Sequence, residues 1–308
     1  MDPIIQTNNI SKTYKDIQAV KDVSITIHQG EIYGFIGLNG AGKTTTIRMF
    51  LGMIHPTNGA CYIKGKKVSQ KNYDIWKDVG HIVETPHSYP ELTVEENLHI
   101  YRRLRLIQDR KVVTNVMEKL HLARYAHIKA GNLSLGNVQR LGIAKALIHS
   151  PEILILDEPV NGLDPAGIVE IRELLQDLAT QQDVTILISS HLLSEIAIIA
   201  NKIGIIHEGR LMQEISTTKL NELLKQRLII NTHHNKKTIS KLSEAGYSTI
   251  INKEKCIEIY DKKAVQSPDK IARLLVYEGC PPTKLTVEEE NLEAYFLKII
   301  EEKGDPIS

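Results

Sequence analysis

The sequence of 308 residues has little of what marks several protein classes. Its formal net charge is only +1, so no excess of basic residues indicates a nucleic-acid partner. The three cysteines, Cys61, Cys256 and Cys280, are far apart and match no metal-ligand spacing, which favours a reducing compartment and inert thiols. No segment reaches the roughly 18 uninterrupted apolar residues of a membrane span, and "MDPIIQTNNISKTYK" lacks the pattern of a signal peptide. We therefore expect any membrane role to depend on a partner.

The length, with 42% hydrophobic and 24% charged residues, predicts two globular domains. In residues 1–220, "EIYGFIG", "EILILDEP" and "VTILISS" are apolar strands, and "NKIGIIHEGRLMQE" is a hairpin that turns at Glu208-Gly209. Apolar strands separated by helices predict an α/β fold with a mostly parallel sheet that is covered on both faces. Helix-spaced apolar residues without strand signals predict an all-helical subdomain at about residues 85–150.

The second predicted domain, residues 221–308, has a different pattern. "RLIIN" is a strand, "KKTISKLSEAG" a helix and "YSTIINKEKCIEIYD" a hairpin. A helix follows in "SPDKIARLLVYEG", with Ser267 at the N-cap and Pro268 at the first helical position. "KLTV" then predicts a strand and "EENLEAYFLKIIEE" a last helix. The order βαββαβ predicts an α+β domain of the ferredoxin-like type.

The stretch "GLNGAGKTT", residues 37–45, is here called the phosphate loop. It fits G-x-x-x-x-G-K-[ST] and lies between a predicted strand and a predicted helix, as that pattern requires. Its glycines let backbone N–H groups surround a triphosphate, Lys43 would reach the β- and γ-phosphates, and Thr44 would ligate Mg²⁺. The alternative is a glycine-rich turn before a helix, which the complete strand–loop–helix context disfavours.

A pair of carboxylates follows the strand "ILILDEP". Asp157 and Glu158 emerge at the carboxyl end of that strand, where α/β sheets bind ligands. Asp157 would hold Mg²⁺, and Glu158 is placed to polarise the water that attacks the γ-phosphate. An acidic pair of this kind is often structural when it stands alone. Together with the phosphate loop it predicts ATP hydrolysis.

A second anion site is indicated by "LSLGNVQR", residues 133–140, here called the signature segment. It places Ser134 and Gly136 at the start of a predicted helix, and no histidine, cysteine or acid is positioned to make Ser134 a nucleophile. Free N–H groups and the helix dipole favour an anion there. The residues alone do not say whose phosphate this would be.

The order of these motifs resembles the ATP-binding subunits of ABC transporters. Phosphate loop, signature segment, "ILILDEP", "NGLDP" and "SSHLLSE" follow in the order and approximate spacing of that family over about the first 220 residues, which identifies a P-loop NTPase. The segments "HIVETPHSYPELTVEENL", "EPVNGLDPAGI" and "EENLEAYFLKII" are most similar to the branch for bacitracin resistance and lantibiotic immunity.

The resemblance implies that two copies of the chain face head-to-tail and hold each ATP between one phosphate loop and the other copy's signature segment. It implies Glu158 and His191 as catalytic residues and Thr44, Glu84 and Asp157 as Mg²⁺ ligands. The implied nucleotide contacts are Tyr14, Gly37, Asn39, Gly40, Ala41, Gly42, Lys43, Thr44, Thr45, Ser134, Gly136 and Asp164.

At three of these positions the residue pattern also fits a purely structural role. Tyr14 would stack on adenine, but a tyrosine on an edge strand has the same pattern. His191 would contact the γ-phosphate, although a lone histidine usually has no such role. Asp164 would sense the partner's site, but an Asp-Pro turn that only ends a segment has the same pattern, and the two roles are compatible.

The sequence departs from the family pattern at two places. Glu84 stands where the family usually has glutamine, which predicts retained hydrolysis with an altered metal or pH dependence. Leu135 and Asn137 replace the usual glycine and glutamine of the signature segment, whereas Ser134 and Gly136 are kept.

The resemblance implies an ATPase at the cytoplasmic face of the membrane that powers a separate integral-membrane permease, with export of bacitracin or a related peptide antibiotic. The alternatives are a soluble ABC ATPase outside transport, a module that holds ATP as a structural switch, an exporter of a lipid or lantibiotic, and an importer. The soluble ATPases usually carry two cassettes or a long coiled-coil insertion, and this chain has neither.

Overall fold

We describe the protein from a computed structural model that covers residues 3–69, 71–223, 226–252, 254–289 and 292–303. The strands are β1 Pro3–Tyr14, β2 Ile17–Val23, β3 Thr26–His28, β4 Ile32–Ile36, β5 Asn58–Ile63, β6 Lys66–Lys67, β7 Val79–Ile82, β8 Ile153–Asp157, β9 Thr185–Ser190, β10 Lys202–His207, β11 Arg210–Ser216, β12 Gln226–Thr232, β13 Ile250–Ile251, β14 Ile257–Ile259 and β15 Pro282–Glu289. The helices are α1 Lys43–Phe50, α2 Val94–Leu104, α3 Lys111–Lys119, α4 Leu135–Leu147, α5 Pro165–Gln182, α6 Leu193–Ile199, α7 Thr217–Leu223, α8 Asn235–Glu244, α9 Lys262–Gln266, α10 Pro268–Tyr277 and α11 Leu292–Lys303.

The central sheet of the first unit has the order β11-β10-β4-β9-β8-β7. All its pairs are parallel except the β10–β11 hairpin, which confirms the predicted mostly parallel sheet. Strands β4, β8 and β9 are buried along their whole length, because both faces of the sheet are covered. The predicted hairpin turn is also confirmed: Glu208 and Gly209 have φ values of 45° and 79°, as a type I′ turn requires.

A second sheet, which the sequence patterns did not reveal, is built from strands that precede and follow β4 in the chain. It has the order β2-β1-β5-β6, with β3 also paired to β1, and its pairs are antiparallel. Strand β1 alternates irregularly between buried and exposed residues, and its register shifts interrupt the period of two. The simple alternation that predicts a half-buried strand is therefore missing.

Residues 83–152 contain α2, α3, α4 and two short 3₁₀ turns and no strand, which confirms the predicted helical subdomain. Helix α2 begins with a capping box, in which the Thr93 side chain accepts from Glu96 N and the Glu96 carboxylate accepts from Thr93 N. Helix α4 begins at the signature segment, with Ser134 as its N-cap. This block therefore carries the second predicted anion site.

The chain forms two compact units: the first runs to Thr217 and includes the chain again from Ile299, and the second runs from Thr218 to Lys298. The second unit contains an antiparallel sheet of order β13-β14-β12-β15. Numbered within the unit this is 2-3-1-4, the order of a split βαβ, so the ferredoxin-like prediction is confirmed. Helix α9 was not predicted; Asp261 caps it by accepting from Lys263 N and Ala264 N. The predicted N-cap Ser267 lies where expected but makes no side-chain capping bond.

None of the helices in the described ranges combines the length and apolar character needed to cross a membrane.

Candidate functional site

The phosphate loop connects the carboxyl end of β4 to the N-terminus of α1. Gly42 is the N-cap residue with a φ of 105°, and it leaves the first N–H groups of α1 without a side-chain cap. Gly40 has a φ of 81°, and a Cβ built there would meet nothing within 4 Å. The loop thus presents open backbone at Gly40 and the uncapped N-terminus of α1 to an anion.

Lys43 is the first residue of α1, and its side chain is buried to 6% exposure beneath the loop. Its ammonium donates to the carbonyl oxygens of Gly37 at 2.6 Å and Leu38 at 3.3 Å. It also lies 3.3 Å from Glu158 Oε1. The loop backbone therefore fixes the position of this charge.

Thr44 and Asp157 meet at the edge of the sheet, as the sequence predicted. The Thr44 hydroxyl donates to Asp157 Oδ2 at 2.8 Å, and Asp157 is almost fully buried at 2% exposure. Ser189, at the end of the adjacent strand β9, donates to the other oxygen, Oδ1. The three oxygen-bearing side chains therefore form one fixed group.

Glu158 has a left-handed backbone conformation with a φ of 50°, which is unusual for a residue other than glycine. Its N–H donates to the Ser189 carbonyl at 3.1 Å. Its Oε2 lies 2.7 Å from His191 Nδ1, while Oε1 faces Lys43. The strained turn thus aims the carboxylate between the phosphate-loop lysine and the histidine.

The signature segment packs against the "NGLDP" loop of the same chain. Leu135 covers Gly162 so closely that a Cβ on Gly162 would clash with it, and Gly136 faces Leu163. Ser134 accepts from Asn137 N, and Asp164 caps α5 by accepting from Gly167 N at 3.0 Å. The side chains of Ser134 and Leu135 are exposed. In the described part of the chain no hydrogen bond joins Ser134 or Gly136 to the phosphate loop.

Glu84 follows β7 with a φ of 58°. Its carboxylate pairs with Arg48 Nη2 at 2.5 Å, and Arg48 lies on α1. The side chain of Glu84 is 59% exposed, so the ion pair lies at the surface. The predicted Mg²⁺ ligand is thus held by a cation on the helix that follows the phosphate loop.

The remaining predicted contacts surround the loop or lie at a strand end. Asn39 is exposed, Ala41 is buried, and Thr45 is partly exposed in the first turn of α1. Tyr14 ends β1 and is 44% exposed, with Lys12 Nζ 5.1 Å from its ring centroid.

Sequence reasoning missed Ser189 and Gln139. Ser189 supports both Asp157 and the Glu158 backbone. Gln139, buried on α4, donates to the Glu158 carbonyl at 3.3 Å. Both residues lie within the quoted motifs, but only the folded chain shows that they contact Asp157 and the Glu158 backbone.

The residues fit a nucleoside triphosphate with Mg²⁺. Within the described ranges, no group of three or more His, Cys, Asp or Glu side chains is arranged around a metal. Thr44 and Asp157 nevertheless supply the one or two hard oxygen ligands that Mg²⁺ takes from a protein when phosphate oxygens complete its shell. A phosphate loop with a buried lysine, an adjacent hydroxyl–carboxylate pair and a directed glutamate defines a P-loop nucleoside triphosphatase.

Comparison with known proteins narrows this class. The family profile described as "ABC transporter" matches residues 20–161. The bacitracin transport ATP-binding protein BcrA of Bacillus licheniformis is 40% identical over 302 residues, which are 97% of this chain and 98% of the relative. The lantibiotic transport ATP-binding protein SrtF of Streptococcus pyogenes is 35% identical and covers 68% of this chain and 90% of its own length.

A solved structure supports the same family assignment. The dimeric structure of a post-hydrolysis state of the ATP-binding cassette MJ0796 bound to ADP and Pi superposes with a TM-score of 0.65 and 26% identity, covering 69% of this chain and 98% of the other. This chain belongs to the family of ABC transporter ATP-binding subunits, and it is an ATP hydrolase of that family.

Proposed function

We propose that this subunit hydrolyses ATP to power export of bacitracin or a related peptide antibiotic through a separate membrane permease. Two relatives are named as transport ATP-binding proteins for bacitracin and for a lantibiotic, and the first aligns with nearly the whole chain. The placement of Glu158 between Lys43 and His191 is the observation that supports ATP hydrolysis at this site.

Glu158 acts as the general base or the water-orienting group. As water oxygen attacks the γ-phosphorus, its proton passes towards Glu158 and the bond between γ-phosphorus and the ADP oxygen breaks. Lys43 and the N–H groups of the phosphate loop stabilise the charge on the transferred phosphoryl group. His191 contacts the γ-phosphate and holds the carboxylate in place. Thr44 and Asp157 would hold Mg²⁺, with Glu84 as a further oxygen ligand, and the ion would offset the charge of the phosphates.

Two copies of the chain bind ATP head-to-tail, so that Ser134 and Gly136 contact the γ-phosphate in the partner's phosphate loop. The exposure of Ser134 and its separation from its own phosphate loop support this arrangement. Asp164 senses the opposite site, since its loop packs beside the signature segment, and Tyr14 stacks on the adenine. Closure of the pair is a population shift, driven by the higher affinity of the closed state for ATP.

Mixing two inactive variants tests the head-to-tail arrangement. Ser134→Asp keeps a good N-cap for α4 but places a negative charge where the γ-phosphate would lie. Lys43→Ala removes the phosphate-loop charge. Each variant alone should lose turnover, whereas the mixture should regain part of it, because one site per mixed dimer then combines an intact Lys43 with an intact Ser134. A mixture as inactive as its components would contradict the shared site.

The transport function is tested in the native cell by introducing Glu158→Gln with the permease intact. Growth inhibition is then compared across cell-wall peptide antibiotics that include bacitracin and lantibiotics, with exposed Glu173→Gln as the matched control. Selective loss of resistance to one compound supports export and identifies the substrate class. An unchanged panel contradicts antibiotic export, and co-purification of the permease would then direct the search for another substrate.

We also propose a division of the chain into two domains. Residues 1–220 form the nucleotide-binding domain, with the helical subdomain at about 85–150, and residues 221–308 form an accessory domain. An apolar core within the second unit, which includes Leu228, Ile230, Ile257 and Leu275, supports this division. The subunit acts at the cytoplasmic face of the membrane through its permease.

A further inference from the structure

A buried lysine outside the phosphate site connects α4 to the loop that follows β7. Lys145 is 5% exposed. Its ammonium donates to the His87 carbonyl at 2.9 Å and to Ser88 Oγ at 2.6 Å, and it lies 4.8 Å from the ring centroid of Tyr101 on α2. These are contacts with neutral acceptors and a ring face. No carboxylate in the described ranges forms a salt bridge with it.

A charge in this environment is costly for folding. Burial lowers the pKa of Lys145 to about 8, because desolvation penalises the ammonium and no anion offsets the penalty. A methionine would fill a similar volume without that cost, as replacements of buried ionic groups by apolar ones often show. The hydrogen bonds that the ammonium makes in fixed positions therefore offer the reason for a lysine at this site.

Those hydrogen bonds join two segments that carry proposed functional residues. The loop of residues 84–88 begins with Glu84, and α4 begins after Ser134. The same loop touches α4 at a second point, because Pro86 lies so close to Gly142 that a Cβ on that glycine would clash with it. The loop is thus held against α4 by apolar contact and, one turn further along the helix, by the ammonium.

We propose that Lys145 is a positioning residue for ATP hydrolysis, which fixes the loop of residues 84–88 on α4 so that Glu84 moves as one body with the helix that carries Ser134. The role rests on the proposed function of those two residues. Lys145 does not contact the nucleotide. It acts by restricting the loop to the arrangement in which both hydrogen bonds form.

The experiment compares the full-length wild type with Lys145→Met and Lys145→Arg. Hydrogen exchange of the next hydrogen-bonded amide, Tyr89 N, which donates to Asn97 Oδ1 at 2.9 Å, should be at least about tenfold faster in Lys145→Met without added nucleotide. Its kcat at saturating ATP should fall by about ten- to a hundredfold, as displaced catalytic groups typically cause. The unfolding temperature should stay equal or rise, and Lys145→Arg should restore exchange and kcat. Ser88→Ala, which leaves Lys145 intact, should give a smaller effect in the same direction.

A double-mutant cycle separates positioning from general damage. In a Glu84→Gln background, Lys145→Met should lower kcat less than it does in the wild type, because the two changes then affect one loop. Two outcomes would overturn the role of Lys145 but leave the proposed function intact, provided that the wild type hydrolyses ATP normally. One is lower stability of Lys145→Met with an unchanged kcat. The other is unchanged hydrogen exchange in both Lys145→Met and Ser88→Ala. A wild-type subunit without ATP turnover would instead overturn the proposed function and this role with it.

Discussion

Lys43 Nζ lies 3.3 Å from Glu158 Oε1, so the cation of the phosphate loop and the proposed catalytic carboxylate are ion-paired across the site. A triphosphate bound in the loop would compete for the same ammonium, and in the proposed site its γ-phosphate would face the Glu158 charge. We therefore expect the pair to oppose nucleotide binding, although both residues are proposed to serve the reaction.

Glu158→Gln should separate binding from hydrolysis. The amide neither pairs ionically with Lys43 nor repels the γ-phosphate, so the ATP dissociation constant should fall several-fold. Turnover should drop by about 10²–10⁴, the usual contribution of a general base. Equilibrium binding of a fluorescent ATP analogue and steady-state phosphate release measure the two effects, with Glu173→Gln as a control. Weaker ATP binding in Glu158→Gln would contradict the competition between Glu158 and the γ-phosphate.

Glu84→Gln should raise the Mg²⁺ concentration needed for half-maximal turnover, because a hard carboxylate ligand is lost. Arg48→Gln should act in the opposite direction, since it frees the Glu84 carboxylate from its 2.5 Å ion pair. Stability should change by less than about 1 kcal/mol in either variant, because the pair is exposed. Magnesium titrations of ATP turnover test this, and identical titrations for all three proteins would exclude Glu84 as a metal ligand.

Gly162→Ala should destabilise the first unit more than Gly65→Ala. Both glycines have similar φ values, 78° and 72°, but only the Cβ on Gly162 would clash, against Leu135. We expect about 1 kcal/mol for the backbone conformation at either site and about 1–3 kcal/mol more at Gly162 for the overpacking. Urea unfolding measures both, and Leu135→Ala combined with Gly162→Ala should recover part of the difference. Equal losses at the two glycines would show that Leu135 yields without cost.

Stability should fall in mild acid because of His149. Burial, aided by the charge of Arg105, lowers the pKa of His149 from 6.5 to about 4. Between those values the unfolded chain binds a proton that the folded chain does not, so the free energy of unfolding decreases as the pH falls from about 6.5 to 4. His149→Gln can still donate to the Val79 carbonyl and should remove about 1–2 kcal/mol of this decrease. The expected effect is smaller than the full pKa difference would give, because the ring is partly exposed. Denaturant unfolding at pH 7 and pH 4 gives the comparison, and parallel pH profiles would refute it.

Much of the architecture could be predicted because its signals are local. Apolar runs such as "ILILD" predict strands buried on both faces, Glu208-Gly209 predicts a tight hairpin, and Pro268 predicts the start of a helix. The antiparallel sheet of β1 and its partners could not be predicted in this way, since bulges interrupt its alternation. Helix α1 ends at Phe50, and Gly52, two residues further on, takes a left-handed conformation with a φ of 64° that stops the helix.

The sequence by itself determined which residue types are present for phosphate chemistry, because the phosphate loop, Asp157 and Glu158 are recognisable from spacing along the chain. Only the tertiary structure decided what each charge faces: Lys43 meets Glu158, Glu84 meets Arg48, and the Lys145 ammonium lies between α4 and its loop. Each of these pairs joins different elements. Their geometry depends on how strands and helices pack, which no local pattern specifies.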